Sequence, residues 1–512
     1  MRKLLLPALL LTTLVVSAQK KNTPPFFAAT ITADDLKRHL FVIAGPEMEG
    51  RDTPSPGLEK AANYIENHFK SLGLVPGNQG SYRQQYPLYK DSMVSTQLQV
   101  NGTEFELTKD FQPNTNVNYT AQMRFSEVVF AGYGIVDNDI DDFKDLELTG
   151  KLVMILDGSP AGYKPSVTGF ASPANTFAKL NKAREKGAAA VLIVYGNYPR
   201  KTFSGSSSYS LNGYREAQYP LVFTISENIA AAIMGEEGKG ILEKMKTAKL
   251  PSKAYKANVD LGYFKQTSTE YASNVLGVIE GTDKKDEYVI ITSHYDHVGK
   301  RSDGTIYYGA DDDGSGTVAI LELAEAFAKA KAAGKGPRRS VVFMTVSGEE
   351  KGLWGSNYYS NHPVFPLEKT TVDLNIDMIG RVGEEYLKDK DSVNYVYIIG
   401  DDKLSTDLAP ITDEVNKKYS KMKLDRKYND PNDKNRFYYR SDHYNFAEKG
   451  VPVIFYFNGV HADYHRPTDT PDKINYKLLS KRAQFVFYTA WEMANRNDML
   501  KRDLKLEVPK GF

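Results

Sequence analysis

Acidic and histidine residues gather directly after apolar runs in this chain. The run 288–292 leads into Ser293-His294-Tyr295-Asp296-His297, and 340–346 leads into Ser347-Gly348-Glu349-Glu350. In the same way 372–376 precedes Asp377, and 451–457 precedes His461-Ala462-Asp463-Tyr464-His465. One loop, Gly309-Ala310-Asp311-Asp312-Asp313-Gly314, adds three adjacent carboxylates. Brought to one place, so many acids would repel one another, and a divalent cation would neutralise them. The chain has no cysteine, so any ligand must be His, Asp or Glu. Nitrogen and oxygen donors without sulfur suit zinc first, with cobalt or manganese as substitutes. A hydrolytic site with two metals about 3.5–4 Å apart needs a carboxylate between them, further ligands on each, and a base for the attacking water.

The elements that must carry these residues read as an α/β series. Apolar runs at 288–292, 340–346, 372–376, 395–399 and 451–457 alternate with helical spacing such as 318–333. That alternation predicts a mixed, largely parallel sheet with helices on both faces, and ligands beyond the carboxyl ends of its strands. Upstream, helices are predicted over about 34–43 and 58–72, separated by the breaker-rich Thr53-Pro54-Ser55-Pro56-Gly57, and a strand over about 96–107. From 121 to 264 the texture changes to short strand-like runs (127–133, 151–156, 189–194, 221–225) and one helical stretch at 175–186, with no histidine. It reads as an inserted module, flanked by 19–120 and 265–512 of one larger domain.

Met1-Arg2-Lys3, an apolar stretch over 4–16 and Val16-Ser17-Ala18 before Gln19 read as a secretory signal peptide cleaved after Ala18. The expected location is the periplasm or the exterior, with no membrane span in the mature chain. Lys+Arg 65 against Asp+Glu 64 excludes a dedicated nucleic-acid binder, whose affinity rests on surplus positive charge. No His-Glu-x-x-His, Gly-x-Ser-x-Gly or phosphate-binding loop is present.

Five motifs together resemble the di-zinc aminopeptidases of the M28 family. They are His294-Tyr295-Asp296, Gly309 to Gly316, Ser347 to Glu350, Asn375-Ile376-Asp377-Met378-Ile379-Gly380 and Tyr464-His465-Arg466-Pro467-Thr468-Asp469-Thr470, in the family's order. The likeness covers about 265–480, and Glu49-Gly50-Arg51 is similar to the family's N-terminal segment. The insert, with Ala131-Gly132-Tyr133-Gly134-Ile135 and Lys186-Gly187-Ala188-Ala189-Ala190-Val191, resembles a mainly-β protease-associated domain.

The resemblance implies two Zn2+ per chain. Asp311 would bridge them, with His294 and Asp377 on one ion and Glu350 and His465 on the other. Glu349 would be the general base for a hydroxide bridging the two ions, Asp296 would hold the His294 imidazole, and Asp312 falls where the family has a strained peptide. Peptides with a free N-terminus are the implied substrates. Dipeptidase, tripeptidase and carboxypeptidase variants of the same core stay open, as does oligomeric state. Arg440-Ser441-Asp442-His443 and Tyr464 are expected near the substrate, whereas His297, His443 and His461 are expected to pack or support rather than bind metal.

Other readings compete. The spacing from Asp311 to Glu322 also fits a calcium loop, but the strand-like Ile306-Tyr307-Tyr308 stands where that loop needs a helix. Asp442-His443 resembles a pair in glutaminyl cyclases, which use one zinc. A catalytically inactive, receptor-like binding ectodomain is the third alternative.

Overall fold

In the computed structural model, residues 23–214, 218–247, 250–430 and 432–507 are described; the expected signal peptide lies outside them. The chain divides into two compact units, one made of Met1–Tyr86 with Tyr271–Phe512 and the other of Pro87–Glu270.

In the first unit four parallel strands lie side by side in the order Arg339–Val346, Lys284–His294, Thr370–Ile376, Val453–Phe457. Tyr395–Ile399 continues the sheet antiparallel to the last of these, with the short Lys423–Asp425 parallel beyond it. On the other side, 275–279 of the strand Lys253–Ile279 pairs antiparallel with Arg339–Val346. Each predicted run is a strand because its residues are mostly apolar and both faces are covered; the polar Asp373 and Asn375 are buried and accept from Thr292 Oγ1 at 2.9 and 2.8 Å. Arg339–Val346, Thr370–Ile376 and Val453–Phe457 are buried at every position. The helices Gly316–Ala332 and Tyr476–Asn495 pack on this sheet. The helix Pro56–Ser71 starts where Ser55 Oγ accepts from the Leu58 N–H at 3.1 Å, with Pro56 at the first position, and it buries Ala61, Ala62, Ile65 and Phe69.

The second unit is built on four adjacent parallel strands, in the order Ala121–Phe130, Leu152–Leu156, Ala190–Val194, Leu221–Ile225. Its helices include Thr176–Glu185 and Glu227–Met234. The span 121–264 falls inside this unit, which also takes in the chain from Pro87, because Leu98, Val100 and Phe111 join its core.

Two expectations are corrected. The strand predicted over 96–107 is the end of Arg83–Val100, a turn, and Thr103–Glu104, because Asn101 and Gly102 both take positive φ (51° and 82°) and reverse the chain as a hairpin. The strand Lys253–Ile279 runs through the expected boundary at 264/265; residues 265–270 are polar on both sides and carry no alternating signal.

Candidate metal centre

Four of the five motifs follow the carboxyl end of a parallel strand of the first unit, and the acidic loop opens a helix. His294 is the last residue of Lys284–His294, Asp377 follows Thr370–Ile376, and Glu349 lies three positions past Val346, after Ser347 and Gly348. The histidines 461 and 465 lie in the segment that leaves Val453–Phe457. The acidic loop forms the irregular turn Ala310–Ser315 at the start of the helix Gly316–Ala332, and its Asp312–Asp313 peptide is cis. Gly316 is required at the join, since a Cβ there would come within 2.4 Å of Asp313 Oδ2 and 2.5 Å of the Ile376 carbonyl. Arg51, fully buried, donates to the carbonyls of Ile43, Tyr295, Tyr308 and Gly309 and so ties the N-terminal segment to both ligand-bearing loops.

His294 Nε2 lies 3.3 Å from Asp312 Oδ1, 3.6 Å from Asp377 Oδ1 and 3.9 Å from Glu349 Oε2. On the other side of the same aspartate, His465 Nε2 is 2.9 Å from Asp312 Oδ2 and 3.1 Å from Glu350 Oε2, and His297 Nδ1 is 2.9 Å from Glu350 Oε1. Asp312 therefore offers one oxygen to each side. His294, Asp313 and Asp377 each place a ligand atom within 4.8 Å of the others, and so do His297, Asp312 and Glu350. Donors about 2.1 Å from a tetrahedral zinc are separated by about 3.4 Å, close to the spacings around His294.

The position expected to bridge, Asp311, is corrected to Asp312. Asp311 turns away: its Oδ1 accepts from the Gly380 N–H at 2.6 Å and its Oδ2 sits 3.1 Å from His461 Nε2. Asp469 Oδ2 accepts from the N–H groups of Asp311 and Asp312 at 2.9 and 3.3 Å, which holds the loop in this orientation. His297, expected to pack, stands among the ligand candidates, and so does Asp313, whose Oδ1 is taken by the N–H groups of Gly316 and Met378 while Oδ2 is free of hydrogen bonds. His297 follows His294 by three residues, a spacing that could have signalled it. No sequence feature distinguishes three consecutive aspartates.

Buried polar atoms without hydrogen bonds include His294 Nε2, His297 Nδ1, Asp312 Oδ2, Asp313 Oδ2 and Glu350 Oε1. Leaving such atoms unpaired is expensive, and cations satisfy all of them at once, so the residues fit a divalent metal. Electrostatics agree. Burial opposes ionisation of Asp312, but His294 and His465 outweigh it and hold its carboxyl well below the usual range. Burial, helped by Glu350 and Asp377, pushes the Glu349 carboxyl well up, with His294 opposing. Asp296, fully buried, accepts from the Glu349 N–H at 3.2 Å through Oδ1, which lies 3.6 Å from His294 Nδ1; the Asp296 carbonyl is 3.2 Å from the same nitrogen. It thus braces both His294 and Glu349.

A narrow cavity opens on Asp312, Glu349 and Asp377, and its other walls are Met378, Phe437, Phe455, Phe457, Val460, Arg440 and Tyr464. Tyr464 stacks on His465 at 3.9 Å between ring centroids. Asp442 and His443, expected at the substrate, do not reach this wall. Asp442 accepts from Ser356 Oγ beneath it, and burial pushes its carboxyl up to about 7. His443 lies between Phe455 and Tyr438, at 4.8 and 5.4 Å, and burial pushes it down to about 3, so it is a neutral packing residue.

Such a centre at the carboxyl edge of a parallel α/β sheet defines a metal-dependent hydrolase type of site. Residues 274–490 match the model of peptidase family M28. It is 24% identical over 344 residues to aminopeptidase YwaD of Bacillus subtilis, covering 63% of this chain and 65% of that protein. A probable zinc metalloprotease of Pyrenophora tritici-repentis is 34% identical over 117 residues, 21% of this chain and 22% of that one. The chain thus spans less than two thirds of the length of these curated relatives. The solved structure of an aminopeptidase from Aneurinibacillus sp. strain AM-1 shares the fold at 21% identity, covering 95% of this chain and 100% of that one, with a TM-score of 0.53.

Proposed function

We propose that this chain is an exported zinc aminopeptidase that removes N-terminal residues from peptides. The observation that carries the reading is Asp312, whose two carboxylate oxygens face two separate groups of ligand candidates with Glu349 beside them. His294, Asp313 and Asp377 would hold one ion, His297, Glu350 and His465 the other, and Asp312 both. Bound there, the ions supply Lewis-acid polarisation of the scissile carbonyl and acidify water.

The chain's own groups do the rest. Glu349 accepts a proton from the attacking water and returns it to the departing amine, a role suited to a carboxyl whose proton affinity burial has raised. Asp296 keeps the His294 ring oriented and anchors the backbone of Glu349. The apolar walls at Met378, Phe437, Phe455 and Phe457 exclude water and receive the first side chain, while the carboxylates attract the free amino group. The unit Pro87–Glu270 corresponds to a protease-associated domain, and residues 1–18 would direct export and be removed.

The cyclase alternative rested on Asp442-His443, and their burial below the cavity favours the peptidase reading. The deciding experiment incubates the purified, zinc-loaded protein with a mixed peptide pool and with leucinamide and its N-acetyl derivative. Stepwise loss of N-terminal residues, turnover of leucinamide alone and two zinc ions per chain are expected. Trimming from the C-terminus, ammonia release from Gln-initiated peptides or an untouched pool would each replace the proposal.

A further inference from the structure

The cavity beside Glu349 is electrically lopsided. Its inner wall carries Asp312, Glu349 and Asp377, while its apolar side walls are Phe437, Phe455, Phe457 and Val460. One cation completes the lining: Arg440, which is exposed and so stands at the open end. Among the described residues it pairs with no carboxylate. One terminal nitrogen donates to Tyr464 Oη at 3.3 Å, another to the Asn435 carbonyl at 3.5 Å, and the guanidinium rests on the Phe437 ring 5.0 Å from its centroid. Both aromatic partners are themselves cavity walls. Two arginines flanking this region, by contrast, have acidic partners: Arg381 meets Asp463 at 2.8 Å, and Arg426 meets Asp401 at 2.8 Å.

A planar guanidinium with two weak neutral contacts, fixed by a ring beneath it, keeps donor capacity directed to a ligand, and its geometric match is a carboxylate. With carboxylates at the closed end and this cation at the open end, the cavity is complementary to a short molecule with an ammonium at one end and a carboxylate at the other. We infer that Arg440 binds a carboxylate of the substrate, so that this site selects small zwitterionic peptides or peptides with an acidic residue at or near the N-terminus. The inference rests on the aminopeptidase reading for the placement of the amino group, not for the chemistry of Arg440.

The test compares kcat/KM for Leu-Gly with its C-terminal amide, and for Glu-initiated with Gln-initiated peptide amides, in the native chain, Arg440→Gln and Arg440→Lys. A preference of about tenfold for the carboxylate, seen in KM rather than kcat, is expected in one pair; it should collapse in Arg440→Gln and return in part in Arg440→Lys. The first pair would assign the carboxylate to the peptide C-terminus, the second to a side chain. Absence of preference in both pairs, or its persistence in Arg440→Gln, overturns the inference. Calorimetric binding of a reduced-bond, uncleavable Leu-Gly analogue in acid and amide forms to the zinc-loaded protein gives the same ratio without turnover. Failure to cleave leucinamide would then count against the aminopeptidase reading alone, while equal binding of the two forms would count against Arg440.

Discussion

The two units treat the same structural feature in opposite ways. Each has a sheet of adjacent parallel strands, and at the carboxyl edge of such a sheet loops diverge and polar groups collect. In the first unit that edge holds His294, Glu349 and Asp377, with buried donor atoms lacking hydrogen bonds. In Pro87–Glu270, which has no histidine, the end of Leu152–Leu156 is closed from within. Lys179, 2% exposed on the helix Thr176–Glu185, donates Nζ to the carbonyls of Leu156 and Gly158 at 3.1 and 2.5 Å, just where Leu152–Leu156 ends. A built-in ammonium satisfies one strand end, whereas the other unit's edge leaves buried atoms that fit ions from solution. The contrast teaches that this topology creates the opening, and side-chain chemistry decides whether it becomes a centre or a filled joint.

The contrast can be broken most sharply at the base. Glu349→Gln should lower turnover by about 10²–10⁴-fold while zinc content by atomic emission stays constant, if, as proposed, it transfers a proton and binds no ion. A variant with ordinary turnover would remove Glu349 from that role. Next, Asp312→Asn and Asp311→Asn separate bridge from support. The first should lose zinc outright; the second, which alters only the contacts to Gly380 and His461, should weaken zinc binding by about 10–100-fold, read by competition with a chelating dye. Equal losses would erase the distinction.

On the other side of the comparison, Lys179→Met should destabilise Pro87–Glu270 by about 1–3 kcal/mol in denaturant titrations, because the buried Leu156 carbonyl and the Gly158 carbonyl lose their donor. Burial pushes the Lys179 ammonium down from 10.5 to about 8, opposed by Asp157 and Asp142. Between those values the unfolded chain binds more protons than the folded one, so the native unit should gain stability as pH rises from about 8 to 10.5. The methionine variant should lack that slope, and an identical slope in both chains would show that another group titrates. The smallest effect is expected at Ser55→Ala, where loss of the cap on Leu58 costs about 1 kcal/mol in the first unit. A change beyond a few tenths in the unfolding of Pro87–Glu270 would contradict the separation of the two units.

Much of the first unit was legible because its strands are mostly apolar, buried on both faces and in most cases followed by a polar motif, so the runs at 340–346, 372–376 and 395–399 match strands within two residues. The insert's edges were less legible. The hairpin at Asn101-Gly102 was hidden in an alternating pattern, and Lys253–Ile279 passes through a stretch polar on both faces. At the site, His294, Glu350, Asp377 and His465 could be singled out because each histidine or acid stands after an apolar run, in an order that resembles a family. Arg440 could be placed near the substrate, but not its lack of an acidic partner, since pairing depends on residues distant in sequence.

By itself the sequence determined the α/β alternation, the absence of thiol chemistry and the motifs from which a centre must be drawn, because these follow from local periodicity and residue type. Only the tertiary structure decided which of Asp311, Asp312 and Asp313 faces both histidine groups, that His297 joins them, and that His443 is walled in. Three identical side chains in succession differ only in where the backbone aims them. That aim is set by Asp469, Arg51 and Gly316, contacts that exist only once distant segments have folded together.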